Sequence, residues 1–257
     1  MTEETQSAPS TLKVCVVGEA LLAEATMRAF CAPKGVETLR SMDGNIDEII
    51  EMAPALTIWC DPLDIKKNDT LDDGELITGL QKLFRQTETG FLIRSTLNVE
   101  TSERLIMALT KNVFDQKVAY MPTVTDSETV EGNVTQDVQI VGGEPKVVDS
   151  VMGILRNLSY FNARKVITGT FFETVYAKLA ISGYRLVTQT YFDQLQHAVM
   201  DLQNANPIVV KRMVQGSGVL ENPPIMLPLS LNTVQYDGRI FAGATDTLKL
   251  IDTCLEK

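Results

Sequence analysis

Leu12-Lys13-Val14-Cys15-Val16-Val17 closes at Gly18 and gives way to Leu21-Leu22-Ala23-Glu24-Ala25-Thr26-Met27-Arg28-Ala29-Phe30. The first run is apolar and rich in valine, the composition of a strand buried on both faces. The second puts Leu21, Leu22, Ala25 and Ala29 on one side of a helix. Strand, glycine, helix is how a βαβ unit opens.

The alternation continues outward from this stretch. Strands are expected at 36–39, 55–60, 90–94, 118–120, 138–141 and 165–168, and helices at 46–52, 74–85, 101–109 and 145–158. Thr101-Ser102-Glu103 offers an N-cap and early negative charge. Short strands separated by helices predict an α/β fold, a Rossmann-like and mostly parallel sheet with helices on both faces. Residues 11–169 are thus expected to form a dinucleotide-binding domain, after a disordered tail over 1–10. From Phe171 the periodicity becomes helical without a proline, through Leu179, Leu186, Val187, Tyr191, Leu195, Val199 and Leu202. One helix over 171–203 would be ~50 Å long and needs a partner for its apolar stripe. With shorter helices near 207–215 and 245–254, residues 170–257 read as an all-helical dimerisation domain.

Composition narrows the function. Lys and Arg total 23 against 33 Asp and Glu, a formal charge of −10. That balance argues against nucleic acid and against an anionic membrane surface, but leaves room for a local anion site. No apolar run approaches the ~20 residues that span a bilayer, and the polar start carries no signal-peptide pattern, so a cytoplasmic location is expected. Cys15, Cys31, Cys60 and Cys254 have no metal-ligand spacing and read as reduced thiols; His197 is the one histidine.

Three segments, in order, resemble the UDP-glucose/GDP-mannose (nucleotide-sugar) dehydrogenases. Phe91-Leu92-Ile93-Arg94-Ser95-Thr96-Leu97 with Thr101 to Leu105 is similar to that family's "v-K-S-T-v-P-x-G-T-T-e-r-L" segment. Tyr120-Met121-Pro122 and Gln139-Ile140-Val141-Gly142-Gly143 resemble "N-P-E-F" and "R-i-v-i-G-G". Lys178-Leu179-Ala180, then Gly183-Tyr184 and Thr190-Tyr191-Phe192-Asp193, resembles the start of the long helix through which the family dimerises. The resemblance implies an NAD- or NADP-dependent oxidoreductase fold, a homodimer, and a nucleotide or sugar-nucleotide ligand. It also implies that the family's C-terminal nucleotide-sugar-binding domain is missing after Lys257.

Departures from the family pattern are as informative. The phosphate loop G-x-G-x-x-G, whose glycines let backbone N–H groups approach a pyrophosphate, here reads Gly18-Glu19-Ala20-Leu21-Leu22-Ala23. Glu19 adds a carboxylate, and Ala20 a methyl, where phosphates would lie. The second strand ends in Leu39-Arg40-Ser41 in place of an acidic residue, a pairing suited to an NADP phosphate unless Arg40 is a solvated strand end. Cys60, before Asp61-Pro62, falls where the family has "V-P-T-P" beside the cofactor, unless it is a buried strand-end thiol. Ser95 and Pro62 complete the cofactor set. Of the reactive residues, Thr96 would position a substrate hydroxyl and Lys178 would stabilise an alkoxide, unless Lys178 is plain surface. Aligned on Asp246, the third catalytic candidate that the resemblance implies, Gly238 to Asp246 puts Ala242 in the place of the family's nucleophilic cysteine and Thr245 in that of its lysine. Alanine cannot form a thiohemiacetal. Met121, Thr123 and Ser182 replace further polar residues of the pattern.

Two functions remain on these residues. One is an NAD(P)-dependent oxidoreductase with an eroded site, limited to one hydride transfer. The other is a non-catalytic homodimeric scaffold or binding protein derived from such an enzyme. A small β-hydroxyacid as substrate is a third, weaker reading.

Overall fold

The computed structural model describes residues 11–18, 21–30, 36–41, 45–60, 63–66, 71–123, 138–158, 163–200 and 206–216. The opening stretch forms β1 (Leu12–Val17) and α1 (Leu21–Phe30). Then come β2 (Val36–Ser41), α2 (Ile46–Met52), β3 (Leu56–Trp59), α3 (Gly74–Gln86) and β4 (Gly90–Ile93). After β4 the chain forms α4 (Val99–Ala108), α5 (Lys111–Lys117) and β5 (Val118–Tyr120). β6 (Val138–Gly143), α6 (Pro145–Asn157), β7 (Lys165–Gly169), α7 (Phe171–Met200) and α8 (Pro207–Gly216) complete the described elements.

The seven strands make one sheet in the order β2-β1-β3-β4-β5-β6-β7. All neighbours pair in parallel except β5 and β6, which are antiparallel. Side chains alternate between two covered faces. Val14, Val16, Leu56, Ile58 and Leu92 pack with Ala23 and Ala25 of α1 and with Val151 and Leu155 of α6. Cys15, Val17, Trp59, Phe91, Ile93 and Tyr120 pack with Ile49 of α2, Leu80 of α3, Leu105 of α4 and Phe171 to Leu186 of α7. The Rossmann-like, mostly parallel sheet with helices on both faces is therefore observed.

Several boundaries differ from expectation. α4 begins at Val99, capped by Asn98, whose side chain accepts from the Thr101 amide at 2.7 Å. Thr101 and Ser102 lie inside the helix, buried, and the Ser102 hydroxyl donates to the Asn98 carbonyl at 2.8 Å. Asn98 is the better cap because its short amide reaches N3 from an extended backbone. α5 was not expected: its seven residues carry too little periodicity, and the Phe114 ring is buried 4.8 Å from that of Phe171.

The long helix also corrects the reading of its stripe. Phe171, Val175, Leu179 and Leu186 are covered by this chain's own sheet, so the face left outward is another one. It carries Tyr176, Tyr184 and Tyr191, each more than half exposed. The expected extension to 203, the tail over 1–10 and the helix near 245–254 lie outside the described residues. No helix among the described residues is long and apolar enough to cross a membrane.

Candidate functional site

The strand order reverses between β1 and β3: the chain steps from β1 to β2 on one side, then returns to β3 on the other. At such a switch point the two connections leave in opposite directions and open a crevice at the carboxyl ends of the strands. Two successive rows of residues form its floor. The last paired row runs Ser41, Val17, Trp59, Ile93, Tyr120 across β2, β1, β3, β4 and β5.

The next row is held by hydrogen bonds that prolong the ladder beyond the strands. Gly18 N–H donates to the Ser41 carbonyl (2.9 Å), Cys60 to Val17 (3.0 Å), Arg94 to Trp59 (2.8 Å) and Met121 to Ile93 (2.9 Å). Gly18, Cys60 and the Arg94-Ser95 pair, distant in sequence, thus stand on neighbouring strand ends roughly 5 Å apart. Gly18 has φ 133°, a conformation in which any Cβ is strained, so glycine is required where the chain leaves β1.

Each polar residue of this edge has a definite setting. Arg40 is half-buried, and its Nε donates to the Gly18 carbonyl at 3.3 Å; it is not a solvated strand end. Cys60 is buried, its thiol 3.5 Å from the Thr26 hydroxyl of α1. Ser95 is buried and Thr96 half-buried in the turn before α4. The turn is fixed from β5, because the buried Tyr120 hydroxyl accepts from the Leu97 amide at 3.3 Å. Arg94 is 1% exposed; burial pushes its guanidinium below the ordinary value, and the charge of the nearby Cys60 thiol works the other way. Two buried polar atoms in the last paired row, Ser41 Oγ and Trp59 Nε1, have no hydrogen-bond partner. Such atoms are uncommon in folded chains and mark places where a ligand or water completes the set.

Lys178 reaches the same layer from α7. The helix starts where the Phe171 ring lies 5.4 Å from that of Tyr120, and Lys178 follows two turns later on the same face, since seven residues nearly complete two turns. It is 3% exposed, as is Ser182 one turn on, so Lys178 is not surface. Its neighbours Val175 and Leu179 belong to the cluster that contains Leu97 and Tyr120. Of the replaced pattern residues, Met121 is buried and Thr123 half-buried beyond β5. Glu19, Ala20, Pro62, Ala242, Thr245 and Asp246 lie outside the described residues. Arg94, Trp59 and Tyr120 have no role in the sequence reading. A lone arginine closing the apolar run Phe91-Leu92-Ile93 is the legible signal for the first; the other two acquire their settings from neighbours on other strands. A polar groove of about 500 Å³ between Thr89, Gly90, Lys117, Glu144 and Ser150 lies at the opposite, amino edge of the sheet.

Solved structures share this fold. A UDP-D-ManNAc dehydrogenase from Pyrococcus horikoshii matches with a TM-score of 0.75 at 13% identity, over 95% of this chain and 68% of that one. A UDP-glucose dehydrogenase from Pyrobaculum islandicum matches at 0.72 and 11% identity, over 100% of this chain and 69% of that one. The fold is that of the nucleotide-sugar dehydrogenases. A 3-hydroxyisobutyrate dehydrogenase from Mycobacterium tuberculosis has a TM-score of 0.66 at 14% identity, over 96% of this chain and 92% of that one. The nucleotide-sugar dehydrogenase fold therefore appears here at about two thirds of those enzymes' length, close to the full length of the hydroxyacid enzyme. No family model matches the chain, and no curated protein matches its sequence.

Proposed function

We propose that this chain is an NAD(P)-dependent oxidoreductase of the nucleotide-sugar dehydrogenase type, acting on a CH–OH group in a single hydride transfer. The observation that carries the reading is Lys178: a lysine 3% exposed on the helix face that covers the carboxyl edge of a dinucleotide-type sheet. Burying an ammonium is costly, and a charge kept there suits an oxygen that becomes anionic in the transition state. The residues present fit the cofactor. Gly18 supplies the turn after β1, and the unpartnered Ser41 Oγ and Trp59 Nε1 lie in the row where it would rest. Bound nicotinamide would supply hydride acceptance. Gly18, Arg40, Cys60 and Ser95 would line its site, with Glu19, Ala20 and Pro62 placed there by sequence. Thr96 would orient the substrate hydroxyl, and the Lys178 ammonium would hold the developing charge. Ala242 leaves no thiol at the position from which the family's second oxidation starts, so the product would stay at the carbonyl level. Sugar nucleotides and small hydroxyacids are the substrates to assay. Calorimetric titration with NADH and NADPH tests the reading: saturable heat supports it, and no heat or thermal shift at millimolar ligand removes it.

A second reading, a non-catalytic homodimeric scaffold, is favoured by the outward face of α7. Tyr176, Ala180, Tyr184, Tyr191 and Ala198 lie exposed along it, small and aromatic residues on one side of a helix that could pack along its length. Under this reading Ala242→Cys creates no turnover of UDP-glucose, whereas turnover by the native chain excludes it.

A further inference from the structure

We infer that Arg104 is a positioning residue for the crevice. It latches the connection leaving β3 to α4, the helix that grows out of the Ser95-Thr96 turn, so that two banks of the crevice hold a bound dinucleotide as one surface. The inference rests on the oxidoreductase reading above and adds to it a residue that acts through others.

The described parts of that connection, residues 63–66 and 71–73, fold against each other at the carboxyl end of β3. Ile65 and Leu71 form an antiparallel bridge, the Asp72 amide donates to the Asp64 carbonyl at 2.8 Å, and the Lys66 ammonium lies 3.3 Å from the Asp72 carboxylate. Leu63 and Leu71 are buried in the cluster that also holds Trp59, at the end of β3, and Leu97, beside the reactive turn. The connection is therefore one bank of the crevice, and α4 with its turn is the neighbouring one.

Arg104 joins the two with a forked grip. Its Nε donates to Asp73 Oδ2 at 2.8 Å and its Nη2 to the Leu71 carbonyl at 3.3 Å, while Nη1 pairs with Glu100 one turn back on α4. A guanidinium carries enough donors in one plane to serve a carboxylate and a carbonyl together. Asp73 shows what this contact displaces. It occupies the N-cap of α3, where an aspartate ordinarily accepts from its own helix, yet its side chain makes no capping bond. The carboxylate is 7% exposed and turns to Arg104 instead; an anion so buried requires a cationic partner. A local cap is thus forgone for a contact 31 residues away, between the two segments that flank the crevice.

The test uses the full chain and its one tryptophan, Trp59, which is 8% exposed in the cluster that the connection helps to close. Acrylamide quenching of its fluorescence reports that closure, and titration with NADH and NADPH reports binding. Arg104→Gln, measured well below its own melting temperature, is expected to raise the quenching constant about twofold and to weaken the tighter dinucleotide about five- to tenfold, the scale of one charge-assisted hydrogen bond. Arg104→Lys keeps a charge for Asp73 without the second arm of the fork, and should recover part of both effects. Asp73→Asn breaks the same pair from the other side and leaves a good N-cap residue. It should reproduce the Arg104→Gln result, and it carries the test where Arg104→Gln fails to fold. Native affinity in these variants overturns the inference and leaves the oxidoreductase reading standing, even if they melt earlier, because the contact would then be a structural brace alone. Weaker binding with unchanged quenching also overturns it, since the connection would not have moved. Binding of neither dinucleotide by the native chain removes the oxidoreductase reading and this inference with it.

Discussion

The Tyr120 hydroxyl accepts the Leu97 amide at 3.3 Å while its ring lies 5.4 Å from that of Phe171. One side chain therefore ties the Ser95-Thr96 turn to the start of α7, the two pieces that bear the proposed reactive residues. Tyr120→Phe keeps the ring and leaves a buried N–H without its acceptor, at a cost of about 1–3 kcal/mol. A urea melt should show the midpoint falling with the slope unchanged; no shift would mean that water takes the place of the hydroxyl. At this scale sequence reading is weakest, because burial decides what a side chain is for. Lys178 and Arg94 look in sequence like any solvated cation, yet they are 3% and 1% exposed. Their types were visible, and their settings depend on residues far along the chain.

The junction of β6, β7 and α7 sets where Lys178 comes to lie. The Thr170 amide donates to the Glu173 carboxylate at 2.7 Å and the Glu173 amide to the Thr170 hydroxyl at 3.2 Å, a reciprocal cap on the helix. The backbone bond from Thr170, and then its hydroxyl, hold the Glu173 carboxyl below its ordinary value of 4.5. A lowered carboxylate stabilises above the unfolded value, and its contribution is lost as pH falls through the folded one. Thermal stability should thus fall between about pH 5 and pH 3 more steeply in the native chain than in Glu173→Gln; parallel curves would deny the cap this role. Two glycines give a contrast in packing. A Cβ on Gly142 would lie 2.3 Å from Thr174 Oγ1 and 2.6 Å from the Thr170 carbonyl, whereas one on Gly153, within α6, meets nothing within 4 Å. Gly142→Ala should destabilise by about 1–3 kcal/mol or more, and Gly153→Ala should stabilise by about 0.5–1 kcal/mol. Chemical denaturation of the two variants checks both signs.

For the molecule as a whole, the outward face of α7 is the largest statement left open by a single chain. Tyr176, Tyr184 and Tyr191 are 52%, 56% and 54% exposed, along a helix whose opposite side is already buried in this chain's core. Pairing of two copies along this face would cover the rings and keep their hydroxyls at the rim, where tyrosine is favoured. Light scattering at micromolar concentration is expected to return twice the chain mass, and Tyr184→Glu with Tyr191→Glu to return one. A single-chain mass for the native protein would refute the dimer while leaving the site described above untouched.

What the sequence determined by itself is the order and kind of the elements that build the sheet. Apolar runs ending at Gly18, Trp59 and Ile93, alternating with helical periodicity, announce a doubly covered parallel sheet because backbone preference and side-chain period are local quantities. The tertiary structure alone decided that β6 runs against β5, that half of the long helix lies on the sheet, and that Arg40 leans on Gly18 while the Ser41 hydroxyl is buried without a partner. Those facts follow from which distant segments meet. A pattern of neighbours in sequence carries no record of the neighbours in space that desolvate a charge, satisfy a donor or leave it waiting.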